Sequence, residues 1–254
     1  MSADVGTRRG NGIVDGVLFD IDDTLVDTRA AFRSALALTS AVHLPELPLE
    51  RYGEVLALWR TDPSGFYRRF SSGTLGFRDQ RMARANQMQE TFGGAALDDA
   101  GFDAWDAAFE SGFRGAWTAH DDAAPVVAEL IADGIAVGAL SNAPVDLQNL
   151  KLERVGLAGS VPLLVGLDTL GFGKPDPRVF AEACRLLGTE PSRTAYIGDE
   201  LDIDACAARD AGLVGVWLDR PGSRRTPMTA ADDAAAAGVV VVHALTDLRT
   251  ALRL

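Results

Sequence analysis

Three carboxylates, Asp20, Asp22 and Asp23, follow directly on the apolar run Val17, Leu18 and Phe19 in the stretch GVLFDIDDTLVDT, residues 16–28. The run reads as a buried strand, and a carboxylate buried without a partner is costly. Like charges this close also raise one another's pKa unless a cation sits between them. A hard divalent cation answers both demands, because Mg²⁺ takes one or two carboxylates and completes its shell with water and substrate phosphate oxygens.

Three further polar clusters follow apolar runs along the chain: Ser141 and Asn142 after IAVGAL, Lys174 in the loop after PLLVGL, and Asp199, Asp202 and Asp204 after TAYIG. Each is ordinary when taken alone. An Asp-rich turn is commonly a solvated loop, a Ser-Asn pair is commonly a turn or helix cap, and first-turn acids commonly complement a helix dipole. With Asp20, Asp22 and Thr24 they nevertheless form four clusters, all at strand ends. Open parallel sheets bind ligands beyond the carboxyl ends of their strands, so the four read as one constellation.

The elements that must position them alternate. A helix is predicted over residues 29–42, capped by Asp27 or Thr28. From residue 44 to about 119 the pattern is helical, broken at Pro45, Pro48, Pro63, Gly73, Gly93 and Gly94, with no alternating strand. Beyond it come a helix opened by Pro125 and ended at Gly134, a strand over 135–142, a helix over 145–155 and a strand over 162–168. A helix over 177–187, a strand over 194–199, a helix over 201–211 and a strand over 213–219 continue the alternation. One more helix, a strand over 239–242 and a closing helix from 245 end it, and an alanine-rich stretch near 230–237 is the one segment of biased composition. Strands alternating with helices predict an α/β fold, a Rossmann-like parallel sheet with helices on both faces. The helical block is too long for a structureless connection. It is predicted to be an inserted all-helical cap domain, residues 28–119, on a core of 13–27 and 120–254, with a frayed tail at 1–12.

On these motifs the chain resembles the haloacid dehalogenase superfamily, in the branch with a helical cap after the first strand. The resemblance covers nearly all of the chain from Gly16 onward. Its first motif is DIDDT at 20–24, its second Ser141 with Asn142, its third KPD at 174–176 and its fourth GDELDID at 198–204. The motifs are highly specific for the superfamily and poorly specific for the substrate.

The resemblance implies a Mg²⁺-dependent phosphatase working through an aspartyl-phosphate. Asp20, the first acid past the strand, is the expected nucleophile. Asp22 is the expected acid toward the leaving oxygen and then the base toward water. Mg²⁺ would be held by Asp20, the Asp22 main-chain carbonyl and Asp199, with Asp204 supporting through water or the second shell. Lys174 would offset charge on Asp20 and on the phosphoryl oxygens, and Ser141 would hydrogen-bond the phosphate. Thr24 and Asn142 are expected to orient. Asp23 stands where many relatives carry glycine and is given no catalytic role; Asp176 is expected to cap a helix or brace its loop. A phosphomutase, a metal-free haloacid dehalogenase and a noncatalytic binding module share the scaffold; retention of Asp22 and Asp199 counts against the second, and intact catalytic groups against the third.

Composition narrows the partners. The 254 residues carry 24 Lys and Arg against 36 Asp and Glu, a net charge of −12, which argues against nonspecific binding to nucleic acid or anionic membrane and for small molecules or other protein surfaces as partners; the resemblance implies a small phosphorylated metabolite. The first dozen residues hold no apolar segment of a signal peptide, and no apolar run reaches the roughly 20 residues of a membrane helix. A cytoplasmic protein, monomer or homodimer, is expected. Cys184 and Cys206 fit free thiols in a reducing compartment. Gly173-Lys174 is followed by proline, so no phosphate-binding loop is formed, and no GxGxxG, GxSxG or HExxH occurs. His43, His120 and His243 fit no ligand spacing. In the helical block, Trp59-Arg60 and the run Phe66 to Phe70, with Arg68 and Arg69, mix cations and aromatics suited to an anionic or ring-bearing substrate.

Overall fold

The apolar runs that end in polar clusters become the strands of one parallel sheet. A computed structural model describes residues 14–221 and 238–254; the frayed tail expected at 1–12 and the alanine-rich stretch near 230–237 lie outside the described residues. Strands β1 (Gly16–Phe19), β2 (Ala136–Leu140), β3 (Leu163–Val165), β4 (Thr194–Gly198), β5 (Val214–Leu218) and β6 (Val240–Val242) pair throughout in parallel, in the order β3-β2-β1-β4-β5-β6. β1 lies between β2 and β4, with Phe19 in register with Ala139 on one side and Ile197 on the other. Asp20 is therefore delivered to the centre of the carboxyl edge, beside the place where the strand order reverses.

The pleat sorts side chains to two faces. Val17 and Phe19 join a core with Val126, Val127 and Leu130 of α6 (Ala123–Ala132), whereas Leu18 joins Val179, Phe180 and Ala183 of α9 (Pro177–Leu187) on the other face.

Between β1 and β2 the chain forms α1 (Thr28–His43), α2 (Tyr52–Thr61), α3 (Phe66–Ser71), α4 (Phe77–Phe92) and α5 (Asp99–Gly115). Asp27 caps α1, its Oδ1 accepting from the Ala30 amide at 2.9 Å. α5 repeats Phe102, Trp105, Phe109 and Phe113 at helical spacing, and the resulting stripe meets Phe32 and Trp59 with ring centroids 4.6–6.3 Å apart. Each such buried ring contributes about 1.5–3 kcal/mol, so the helices hold a core of their own. Gly112 permits the close approach of α5 to α1, since a Cβ there would sit 2.9 Å from the Ala35 Cα.

The two passages into this helical unit pair with each other. Val26 and Ala119 form an antiparallel bridge, the Asp27 amide donates to the Thr118 carbonyl at 2.9 Å, and the His120 amide donates to the Leu25 carbonyl at 3.0 Å.

Several sequence expectations shift at the element level. α6 begins two residues before Pro125, which falls within the first turn, where an amide has no intrahelical acceptor to lose. The segment 162–168 is strand only over Leu163–Val165; the chain then turns into the short helix α8 (Leu167–Leu170), whose Asp168 caps the Val145 amide at the start of α7 (Val145–Arg154). The helix expected over 201–211 is a π-helical turn, Leu201–Cys206, running into α10 (Ala207–Asp210). α9 has the expected bounds, because Asp176 caps it, Pro177 opens it and Gly188, at φ +76°, ends it. The chain closes with α11 (Leu248–Leu252).

Candidate active site

Asp20 remains tied to the sheet, its amide donating to the Ile197 carbonyl at 2.8 Å, and is almost wholly buried. The Lys174 ammonium fills the space beside it. Nζ lies 2.8 Å from Asp20 Oδ1, 2.7 Å from Asp204 Oδ1 and 2.6 Å from the Tyr196 hydroxyl, which itself donates to the Leu140 carbonyl at 2.9 Å. Burial pushes the Asp20 carboxyl up to about 7, against the pull of Lys174 and with the help of Asp204 and Asp22. Burial would lower Lys174, yet Asp20 and Asp204 together hold it well above its usual value. One ammonium thus serves two buried carboxylates.

The fourth motif completes the acidic group. Asp204 is brought back toward β4 by the π-helical turn, and its Oδ2 accepts from the Glu200 amide at 3.0 Å. Such turns widen a helix by one residue and are frequent at functional sites. Gly198 is required here, since a Cβ on it would collide with the Asp204 carboxylate. Asp20, Asp199 and Asp204 each offer a carboxylate oxygen within 4.8 Å of the others, and no histidine or cysteine joins them among the described residues. An all-oxygen, anionic donor set of this kind fits a hard divalent cation. The Asp22 carboxylate is not in the cluster, and Asp202 is exposed.

Ser141 and Asn142 follow β2, and Asn142 clasps the third motif. Its Nδ2 donates to the Lys174 carbonyl at 2.9 Å while its Oδ1 accepts the Lys174 amide at 2.7 Å. Gly173 makes room, because a Cβ there would strike Asn142 Oδ1. Ser141 Oγ accepts from Gln148 Nε2 at 2.7 Å. The same Nε2 lies 2.6 Å from Asp22 Oδ2, and Asp22 Oδ1 pairs with the Lys151 ammonium. Thr24 is fully buried, and its Oγ1 has no hydrogen-bond partner among the described residues.

Asp23 adopts φ +61°, a left-handed conformation that explains the suitability of glycine there and that Asp tolerates better than most residues. Its carboxylate does structural work: Oδ1 accepts from the Thr28 hydroxyl at 2.9 Å and the Arg29 amide at 2.6 Å, and Oδ2 pairs with Arg60 Nη2 at 3.0 Å. Arg60 belongs to α2, so this buried pair joins the helical unit to the loop after β1. Tyr67 of α3 adds a second link, its hydroxyl donating to the Asn142 carbonyl at 3.2 Å. Arg68 and Arg69 lie exposed on α3, and Asp176 serves as the cap of α9.

Four residues at the site escape a reading of the sequence alone. Tyr196 looks like one more strand residue. Asp23 looks like a third surplus acid. Gln148 and Lys151 look like the wet face of a helix, although their i, i+3 spacing just behind Ser141-Asn142 places both on one side of α7.

The family of haloacid dehalogenase-like hydrolases matches residues 14–212. The phosphoserine phosphatase of Thermus thermophilus is 39% identical over 101 residues, 40% of this chain and only 41% of that protein. The N-acetylmuramic acid 6-phosphate phosphatase of Pseudomonas aeruginosa is 29% identical over 198 residues, 77% of each chain. A hydrolase of the same family from Deinococcus radiodurans, solved with bound phosphate and sodium, superposes with a TM-score of 0.70 at 25% identity, covering 94% of this chain and 95% of that one. The family match runs from the start of β1 past the acidic turn that follows β4, so it takes in all four strand-end clusters, and this chain belongs to the haloacid dehalogenase-like hydrolases.

Proposed function

We propose that the protein is a Mg²⁺-dependent phosphatase that hydrolyses a small phosphomonoester through an aspartyl-phosphate on Asp20. The observation that carries this reading is the buried Asp20 carboxylate, 2.8 Å from Lys174 and grouped with Asp199 and Asp204 at the carboxyl edge of the sheet. Relatives named for phosphoserine and N-acetylmuramic acid 6-phosphate support a small phosphorylated metabolite as the substrate class.

In this reading an Asp20 carboxylate oxygen attacks phosphorus as the bond to the leaving oxygen breaks, and Asp22 gives that oxygen its proton. Asp22 then takes a proton from water, whose oxygen attacks phosphorus and breaks the bond to Asp20. Inorganic phosphate and the free carboxylate result. Lys174 neutralises charge on Asp20 and the phosphoryl oxygens, Ser141 donates to the phosphate, and Asn142 and Thr24 orient the loops that carry them. Mg²⁺ would be held by Asp20, Asp199 and the Asp22 main-chain carbonyl, with Asp204 in support, and when bound supplies charge neutralisation at the phosphoryl group.

The helical unit, residues 28–119, serves as a cap domain over a core of 13–27 and 120–254, shielding the site from bulk water and carrying the groups that read the leaving portion of the substrate. No helix among the described residues is long and apolar enough to cross a membrane, in keeping with a substrate met in aqueous solution.

Hydrolysis of p-nitrophenyl phosphate, followed by a panel of phosphometabolites, tests the reading. Activity with Mg²⁺ that disappears with EDTA and in Asp20→Asn is the expected result. Activity that survives EDTA overturns the metal-dependent phosphatase. Inactivity on the whole panel favours a phosphomutase or a binding module.

A further inference from the structure

We infer that Lys151, together with Gln148, is a positioning residue that fixes the Asp22 carboxylate for its work on the leaving group. The inference rests on the reading of Asp22 as the acid of the first step.

The two oxygens of Asp22 are held by separate donors one helical turn apart on α7. Gln148 Nε2 takes Oδ2 at 2.6 Å and the Lys151 ammonium pairs with Oδ1. Both donors are buried, with Lys151 only 1% exposed, while the Asp22 side chain keeps 27% of its surface open. A carboxylate held through both oxygens has little freedom to rotate, so its open side is presented in one orientation. Positional error at a reacting group is expensive: about 1 Å can cost about 100-fold in rate.

The placement of the Lys151 ammonium supports a dedicated role. Burying a lysine is unfavourable unless its charge is met, and here it is met twice. Nζ lies 5.6 Å from the ring centroid of Phe113 and 5.7 Å from that of Trp117, in addition to pairing with Asp22. Phe113 ends the aromatic stripe of α5, and Trp117 lies on the passage from the helical unit back to the core. Gln148 Nε2 also reaches Ser141 Oγ at 2.7 Å, so the same α7 face holds Asp22 and a phosphate-side hydroxyl in one register. Neither donor touches Asp20 or Asp204 in the contacts described above; Lys174 already serves those two.

Phenyl phosphate and p-nitrophenyl phosphate test this, because they share a shape but differ in how badly the leaving oxygen needs a proton. In Lys151→Met, kcat/KM for phenyl phosphate is expected to fall about 100-fold, and for p-nitrophenyl phosphate less than about tenfold, since a positioned acid contributes about 10²–10⁴ where protonation is needed. Lys151→Arg is expected to restore most of the loss. An equal loss on both substrates, no loss, or a rise in KM with kcat unchanged overturns the inference; the last would assign the ammonium to charge balance at the phosphate. Asp22→Asn is measured alongside. If it too fails to discriminate the substrates, the reading of Asp22 as the acid is what fails; if it discriminates and Lys151→Met does not, only the role of Lys151 falls. Should Lys151→Met not fold by circular dichroism, Lys151→Gln is judged by the same criteria.

Discussion

Asp23 and Arg60, 3.0 Å apart and both buried, join the loop that carries Asp20 and Asp22 to the second helix of the inserted unit. The backbone of Asp23 would suit glycine, at φ +61°, so Asp23→Gly removes the carboxylate with little backbone penalty. What it leaves is a buried guanidinium deprived of this partner, a loss that typically costs about 3–5 kcal/mol. Thermal and urea unfolding of Asp23→Gly, Arg60→Met and the double variant form a cycle, and the double variant is expected to be less destabilised than the sum of the singles.

Lys174 is the single ammonium between Asp20 and Asp204, so Lys174→Met leaves two buried like charges facing each other. Phosphatase activity is expected to fall by at least about 10²–10³-fold, the usual loss when one donor to a developing charge is removed. Steady-state kinetics with p-nitrophenyl phosphate would read this. Retention of more than a tenth of the activity would remove Lys174 from the assigned role.

The raised carboxyl of Asp20 sets a pH dependence of stability. Its folded value of about 7 lies above the ordinary 3.8. Between those values the folded protein keeps a proton that the unfolded chain has released, so this contribution is fully present below about 4 and is lost as pH rises through about 7. In EDTA, Tm is therefore expected to fall between pH 5 and pH 8, and Asp20→Asn to flatten the trend. Added Mg²⁺ competes with that proton and should raise Tm more at pH 8 than at pH 5. Thermal melts across the range, with and without the ion, check both signs.

Gly198→Ala places a methyl group where the Asp204 carboxylate lies. The carboxylate must move, at a cost of about 1–3 kcal/mol of overpacking strain. A weaker response of Tm to Mg²⁺ is expected in this variant, whereas Gly134→Ala, at a turn with φ +78° and no atom near the added carbon, should lower stability while leaving the Mg²⁺ response intact.

The sheet was legible because parallel strands buried on both faces read as continuous apolar runs, and Val17 to Phe19 announce β1 without ambiguity. The carboxylates were legible for the opposite reason: charge placed directly after such a run has few structural excuses. Lys151 and Gln148 were hidden because polar residues on a helix are solvated by default, and only the fold shows that this face of α7 looks inward at Asp22. Asp23 was hidden because its role depends on Arg60, 37 positions away and on another element. The widened turn at 201–206 left no mark in the apolar pattern, since one extra residue in a helical stretch shifts its phase by less than a third of a turn.

The bridge between Val26 and Ala119 confines how the helical unit can move. Its entrance and exit are stitched together a few residues beyond Asp22, and the Asp23–Arg60 pair and the Tyr67–Asn142 hydrogen bond tie the unit to the core beside that bridge. The aromatic residue just before the bridge on the return path, Trp117, lies with its ring centroid 5.7 Å from the ammonium of Lys151, which pairs with Asp22. Under the proposed reading, a displacement of the helical unit would therefore be felt at Lys151 and, through it, at Asp22.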